Sequence, residues 1–177
     1  MRQSNTGSTS PTTRLQAPVV EMDERFAQLT ESLHPAYERL HRMAPLTNGE
    51  LPRSMPKSGV YLFSEGDKPM YVGRSNNLRA RYGRHCLPGA THRMAAFAFK
   101  LAREITGRVV ASYKSDENSR ANLMLDDAFR GAFNDAKIRI RKMDYRYVEE
   151  VDQNRQALLE IYVTVVLGTP YNDFNTH

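Results

Sequence analysis

The sequence predicts an α+β fold in which a small three-stranded antiparallel sheet is flanked by helices, with an N-terminal helical extension and a helical insertion. Three observations carry this prediction. Two β-branched and aromatic runs, Gly59-Val60-Tyr61-Leu62-Phe63 and Met70-Tyr71-Val72-Gly73, enclose the turn-forming stretch Glu65-Gly66-Asp67-Lys68-Pro69 and so read as a hairpin. Ile138 to Val148 alternates apolar or aromatic residues with charged ones, the period of a strand solvated on one side. Elsewhere apolar residues recur every three or four positions, the spacing of helices that cover a sheet.

Taken in chain order, residues 1–18 are rich in Ser, Thr, Gln and Pro, and are too poor in apolar side chains to offset the entropy of folding; a disordered arm is predicted. Residues 19–56 form a helical extension and linker. Met22, Phe26, Leu29, Leu33, Tyr37 and Leu40 mark an amphipathic helix within Val20–Met43, with Pro35 as its break or kink. Leu46–Pro56, with Asn48-Gly49 and its prolines, is the linker. Residues 57–177 make up the main domain. After the hairpin a helix is predicted to start near Ser75 or Asn76, whose short polar side chains accept from the first free amides. At 100° per residue, Leu78, Arg81, Tyr82 and His85 then share one arc. Two polar groups flanking an apolar anchor suggest the wall of a site.

Residues of about 88–136 read as an insertion. Leu87-Pro88-Gly89 closes the preceding segment, Met94–Ile105 is an amphipathic helix stopped by Gly107, and Val109–Tyr113 reads as a short strand. A further helix is predicted from about Ser119 to Ala136, where Leu123, Leu125, Ala128, Phe129 and Phe133 recur at helical spacing. The alternating strand follows, and a last helix runs from near Asp152 to Gly168-Thr169-Pro170.

Composition narrows the class of protein. A chain of 177 residues suits one hydrophobic core. No apolar run approaches the ~20 residues of a membrane span and no signal-peptide pattern opens the chain, so no membrane partner is expected. A single cysteine, Cys86, excludes an internal disulfide and points to the cytoplasm. The net charge of +5 is unevenly spread: between Arg53 and Arg108 there are eleven Lys or Arg against three acids, a local +8. A charge run is usually a solvated face, but this one overlaps the hairpin and its helix, as phosphate recognition requires. His34, His41, His92 and His177 have no metal-ligand spacing, and there is no Cys-based zinc pattern.

The block from Gly59 to His85 resembles the GIY-YIG nucleases, a family that includes homing endonucleases, excision-repair incision nucleases and restriction enzymes. The two name-giving triplets stand here as Gly59-Val60-Tyr61 and Tyr71-Val72-Gly73, with valine in place of isoleucine in both. The resemblance implies that Arg81, ten residues beyond the second tyrosine, and His85, four further on, are catalytic together with Tyr61 and Tyr71. Near the C-terminus, Ala157-Leu158-Leu159-Glu160-Ile161-Tyr162 and then Pro170-Tyr171-Asn172 fit the order of a metal-binding glutamate followed by a supporting amide. Glu160 is therefore the expected metal ligand, preferred to Glu149 and Glu150, which precede the last helix. Its place opposite the stripe of Leu158, Tyr162 and Val165 also suits an ordinary exposed glutamate. Arg74, Arg79, Arg84 and Asn172 are the expected nucleic-acid contacts.

What the resemblance implies is a DNA endonuclease using one Mg²⁺ or Mn²⁺ ion per active site and leaving a 5′ phosphate and a 3′ hydroxyl, on duplex or branched DNA. One carboxylate suffices for Mg²⁺, which keeps most of its waters. Arg81, a planar fork that stays charged, suits the scissile phosphate, and Arg74 suits a second phosphate contact. Either tyrosine could serve as base; an ordinary phenol titrates at about 10 and needs a neighbouring positive charge to ionise near neutrality. Tyr61 is expected to be the more sensitive of the two. The plain alternatives are tyrosines that only pack the sheet, an arginine with a buried stem, a satisfied core histidine and an Asn172 that only forms a turn. At the level of the whole protein the alternatives are a nucleic-acid-binding module that keeps the fold without turnover, and a structural partner acting through the N-terminal helix, where self-association into a homo-oligomer is also expected.

Overall fold

In the computed structural model the described residues are 22–108 and 118–172. The predicted arm and the predicted strand Val109–Tyr113 lie outside them. Ten elements follow in order: α1 (Glu24–Glu31), α2 (Leu33–Arg42), β1 (Gly59–Glu65), β2 (Lys68–Ser75), α3 (Leu78–Cys86), α4 (Ala96–Ile105), α5 (Arg120–Leu123), α6 (Asp127–Lys142), β3 (Asp144–Glu149) and α7 (Gln153–Leu167). The sheet is antiparallel throughout, in the order β2-β1-β3, so the first strand is central.

Side chains alternate across β1 and build a core on each face of the sheet. Val60 and Leu62 join Val72 and Val148 under α2 and α7, with Leu33, Ala36, Leu40, Leu159 and Val163. Tyr61 and Phe63 join Tyr145 under α3, α4 and α6, with Leu78, Tyr82, Phe97, Phe99, Phe129, Phe133 and Ile140. Each of the fully buried aromatic and aliphatic side chains contributes about 1.5–3 kcal/mol from burial. The N-terminal extension is thus half of one helical layer, and the insertion supplies most of the other. Leu46, Leu51 and Met55 of the linker also pack on the second core.

Helix ends follow their capping residues. The predicted first helix is two: Pro35 has no N–H for the Glu31 carbonyl and its ring would crowd it, so the chain breaks at Ser32 and Pro35 sits in the first turn of α2, where the missing N–H costs nothing. Asp152 caps α7 by accepting from Arg155 N at 2.8 Å, and Gly168, at φ 60°, ends it.

Two predicted elements are corrected. Ser119–Ala136 is not one helix: Asp126 accepts from Ala128 N and Phe129 N and starts α6 anew after the short α5, leaving Leu125 76% exposed. Ile138–Lys142 is not strand but the last turn and more of α6, and only Asp144–Glu149 pairs with β1. Phe129, Phe133, Ala136 and Ile140 form a buried helical stripe, while Ile138 is exposed, so the 3.6 period overrides a short alternation.

Candidate active site

The site is built where β1 and β2 run side by side. Tyr61 is opposite Gly73 in the register, and Phe63 is opposite Tyr71. The backbone at Gly73 passes directly over the Tyr61 phenol: a Cβ there would lie 2.2 Å from Oη and 2.4 Å from Cζ. At Gly59 a Cβ would lie 1.9 Å from the Val148 carbonyl oxygen of β3. The glycines of the two triplets are thus each needed for a close approach, one of a ring and one of a strand.

Helix α3 supplies the polar partners. Its N-cap is Asn77, one or two residues later than the sequence suggests, with Oδ1 accepting from Ala80 N at 3.0 Å and Ser75 Oγ accepting from Asn77 N at 2.9 Å. This start aims Leu78, Tyr82 and His85 inward and leaves Arg81 half-buried. Arg81 Nε donates to Tyr61 Oη at 3.0 Å, and His85 Nε2 shares a 2.7 Å hydrogen bond with the same oxygen. A second Arg81 nitrogen, Nη1, donates to the Met94 carbonyl at 3.4 Å. Tyr71 stacks on Phe97 of α4, centroids 4.8 Å apart and planes 10° from parallel, with its ring 5.5 Å from that of His85. Phe97 lies within the predicted amphipathic helix Met94–Ile105, whose spacing alone does not place it beside the motif tyrosine.

Burial dominates the titration of this cluster. It pushes the Tyr61 phenol well above its ordinary value; neighbouring Tyr71 adds to the rise and the Arg81 charge opposes it. Tyr71 is raised by burial and by the Glu160 carboxylate, again against Arg81. His85, fully buried, is held well below its ordinary value by burial and then by Arg81, so it is neutral at physiological pH. Its Nδ1 is without a hydrogen-bond partner among the described residues.

The carboxylate comes from α7. Glu160 faces β2, where Arg74 Nε donates to its Oε2 at 3.0 Å. Its side chain is 20% exposed, and burial raises its pKa against the lowering effect of Arg74 and Arg81. The more apolar side of α7 does not all point inward: Val165 is 72% exposed. Glu149 is exposed, and Glu150 is buried in an ion pair with Arg155 at 2.8 Å while accepting from Asp152 N, so Glu150 serves the start of α7.

Not every expected residue faces the cluster. Arg79 donates to the carbonyls of Pro52 and Arg53, which ties the linker to α3. Arg84 is exposed on α3. The Asn172 amide is engaged with β2: Oδ1 accepts from Val72 N at 2.7 Å and Nδ2 donates to Val72 O at 2.8 Å, so it supports the strand and is not presented as a nucleic-acid contact. Tyr171 N donates to the Met70 carbonyl and Lys100 Nζ to the Tyr171 carbonyl, fixing the same segment. A cavity of about 470 Å³ between the β1–β2 turn and the end of α6, lined by Glu65, Arg139 and Lys142 among others, contains none of the site residues.

The arrangement therefore joins a forked cation, a buried phenol with a neutral imidazole, a second phenol and a carboxylate on a facing helix. No group of three or more His, Cys, Asp or Glu suited to a metal ion occurs among the described residues. Glu160 alone fits a hydrated Mg²⁺ or Mn²⁺, an ion that needs few protein ligands. Among the described residues, no helix is long and apolar enough to cross a membrane. No family model matches this chain, and no curated protein or solved structure was found to match it.

Proposed function

We propose that the chain is a metal-dependent endonuclease of the GIY-YIG type that hydrolyses DNA phosphodiesters. The observation that carries this reading is the Arg81 fork anchored on Tyr61 while its charge acts on Tyr71 and on Glu160, three groups from three different elements. Fixed cations and proton acceptors around one point are what phosphoryl transfer asks of a protein. The basic stretch from Arg53 to Arg108 supports an anionic polymer as substrate.

In this reading Arg81 neutralises the non-bridging oxygens of the scissile phosphate, and the bond from Tyr61 keeps the guanidinium aimed. His85 keeps Tyr61 in place and, being neutral, adds no positive charge to repel the neighbouring Arg81 guanidinium. Tyr71 suits the base better than Tyr61: it is half-buried and the Arg81 charge favours its ionised form, whereas Tyr61 is 1% exposed with its hydroxyl held by Arg81 and His85 beneath Gly73. Tyr71 would first lose its own proton to solvent, an ionisation that burial opposes and the Arg81 charge favours; the phenolate then takes the proton of a water attacking in line, the phosphorus–O3′ bond breaks, and the leaving oxygen takes a proton from solvent. Mg²⁺ or Mn²⁺ bound to Glu160 supplies charge neutralisation at the phosphate and the leaving oxygen.

The test is incubation of the purified protein with supercoiled, linear, branched and single-stranded DNA, with and without Mg²⁺. Ion-dependent cleavage yielding 5′ phosphate ends, lost in Arg81→Ala, is expected. Salt-sensitive binding with no cleavage on any substrate would reassign the fold to a binding module.

A further inference from the structure

Glu160 is already partnered by a cation of the chain itself. The contact with Arg74 is a single hydrogen bond from Nε to Oε2. It contrasts with the Arg139–Glu65 pair, where Nε and Nη2 take both carboxylate oxygens at 2.6 and 2.8 Å. Two-pronged pairs are the strong ones, so the Arg74 contact is built to be given up more easily. The exposures agree: the Arg74 side chain is 46% exposed at its place on β2, and Glu160 is 20% exposed on α7. Arg74 can swing into solvent; the carboxylate has less freedom.

We propose that Arg74 is a displaceable counter-ion, which holds Glu160 until a divalent cation takes the carboxylate and which thereby sets the affinity and the order of metal entry. The inference rests on Glu160 as the metal ligand. A carboxylate only 20% exposed and near the Tyr71 phenol is costly without a positive neighbour, and Arg74 meets that need before metal arrives. Guanidinium cannot lose its charge, so it cannot stay against Glu160 beside a divalent ion without repulsion. The released side chain, on the strand that carries Tyr71, is then free to meet a phosphate. Metal entry and the recruitment of a second phosphate contact become one event.

The competing account is that Arg74 merely orients Glu160 for the ion, and it predicts the opposite effect of removing Arg74. The experiment is titration of the DNA-free protein with Mn²⁺ at constant ionic strength, followed by calorimetry and by electron paramagnetic resonance, for wild type, Arg74→Ala, Arg74→Lys and Glu160→Gln. Circular dichroism verifies that each variant is folded. Displacement predicts binding at least tenfold tighter in Arg74→Ala, affinity within about threefold of wild type in Arg74→Lys, which keeps the charge, and loss of the site in Glu160→Gln. Equal or weaker binding in Arg74→Ala overturns the proposal while leaving Glu160 as ligand. Binding in Glu160→Gln that equals wild type overturns both the proposal and the metal assignment beneath it.

Discussion

Replacing Gly73 with alanine tests the geometry of the site at its tightest point. The new Cβ would need to stand 2.2 Å from Tyr61 Oη, 2.4 Å from Cζ and 3.0 Å from Cε1. Carbon contacts settle near 3.5–4.0 Å, so strand or ring must yield by about 1 Å or more. The ring has nowhere to go: it is 1% exposed and packed edge-on or tilted against Phe63, His85 and Tyr145, with centroids 5.8, 5.5 and 5.8 Å away. Overpacking of this kind costs about 1–3 kcal/mol, and a displaced hydroxyl also weakens its bonds to Arg81 and His85 at about 0.5–1.5 kcal/mol each. The expected loss is roughly 2–6 kcal/mol, a large share of a typical domain's stability. Urea unfolding should show it as a lower midpoint with little change in slope. Adding Tyr61→Ala removes the obstructed ring, so the double variant should be less unstable than the two single losses combined by at least about 1 kcal/mol. Gly131→Ala on α6, where a Cβ meets open space, should instead gain about 0.5–1 kcal/mol. A Gly73→Ala protein of wild-type stability would refute the argument that this glycine exists to admit the phenol.

Glu160→Ala should abolish cleavage, by about two orders of magnitude or more, while DNA affinity is kept, as single-turnover and fluorescence-anisotropy measurements would show; full activity would move the ligand elsewhere. Tyr71→Phe should lose rate with little change in melting temperature, whereas Tyr61→Phe should lose about 1–3 kcal/mol of stability because His85 and Arg81 are left without their partner; the reverse pattern would exchange the roles of the two tyrosines. His85 has a folded pKa well below its ordinary 6.5 through burial and Arg81, so the unfolded chain binds the proton first. Its stabilising effect is present in full above about pH 6.5 and declines on acidification at up to ~1.4 kcal/mol per pH unit; His85→Gln should flatten that slope in pH-dependent unfolding.

The hairpin and the helix after it were legible because their signals are local: turn residues between two strand-forming runs, and a short polar cap before Leu78. Helix geometry put Arg81 and His85 on one arc with Leu78 and Tyr82, and the resemblance to the GIY-YIG nucleases joined them to Tyr61 and Tyr71. The alternation at Ile138–Lys142 points to a strand that does not form, because five residues are too few to outweigh a stripe that begins nine residues earlier at Phe129. Glu160 and Asn172 meet β2 from sequence separations of 86 and 100 residues, and no spacing rule reaches that far. Their order along the chain suggested candidates, but the residues they touch came only from packing. Arg79 shows the limit of reasoning from charge: its guanidinium finds linker carbonyls.

The two outer strands of the sheet are each bordered by a short segment that is not itself a strand. Leu46 exchanges both backbone hydrogen bonds with Tyr145 on β3, at 2.9 and 2.8 Å, and Met43 accepts from Arg146 Nε beside it. On β2, Tyr171 N bonds the Met70 carbonyl and the Asn172 side chain imitates a peptide group toward Val72. A sheet of only three strands would otherwise offer two open templates on which another polypeptide could add a strand. Here the Leu46 backbone pair on β3, and the Tyr171 N–H with the Asn172 amide on β2, occupy part of each edge. Asn172 thus occupies part of the β2 edge as well as steadying the strand that bears Tyr71, and a substitution there is expected to show first as loss of solubility, before any loss of fold.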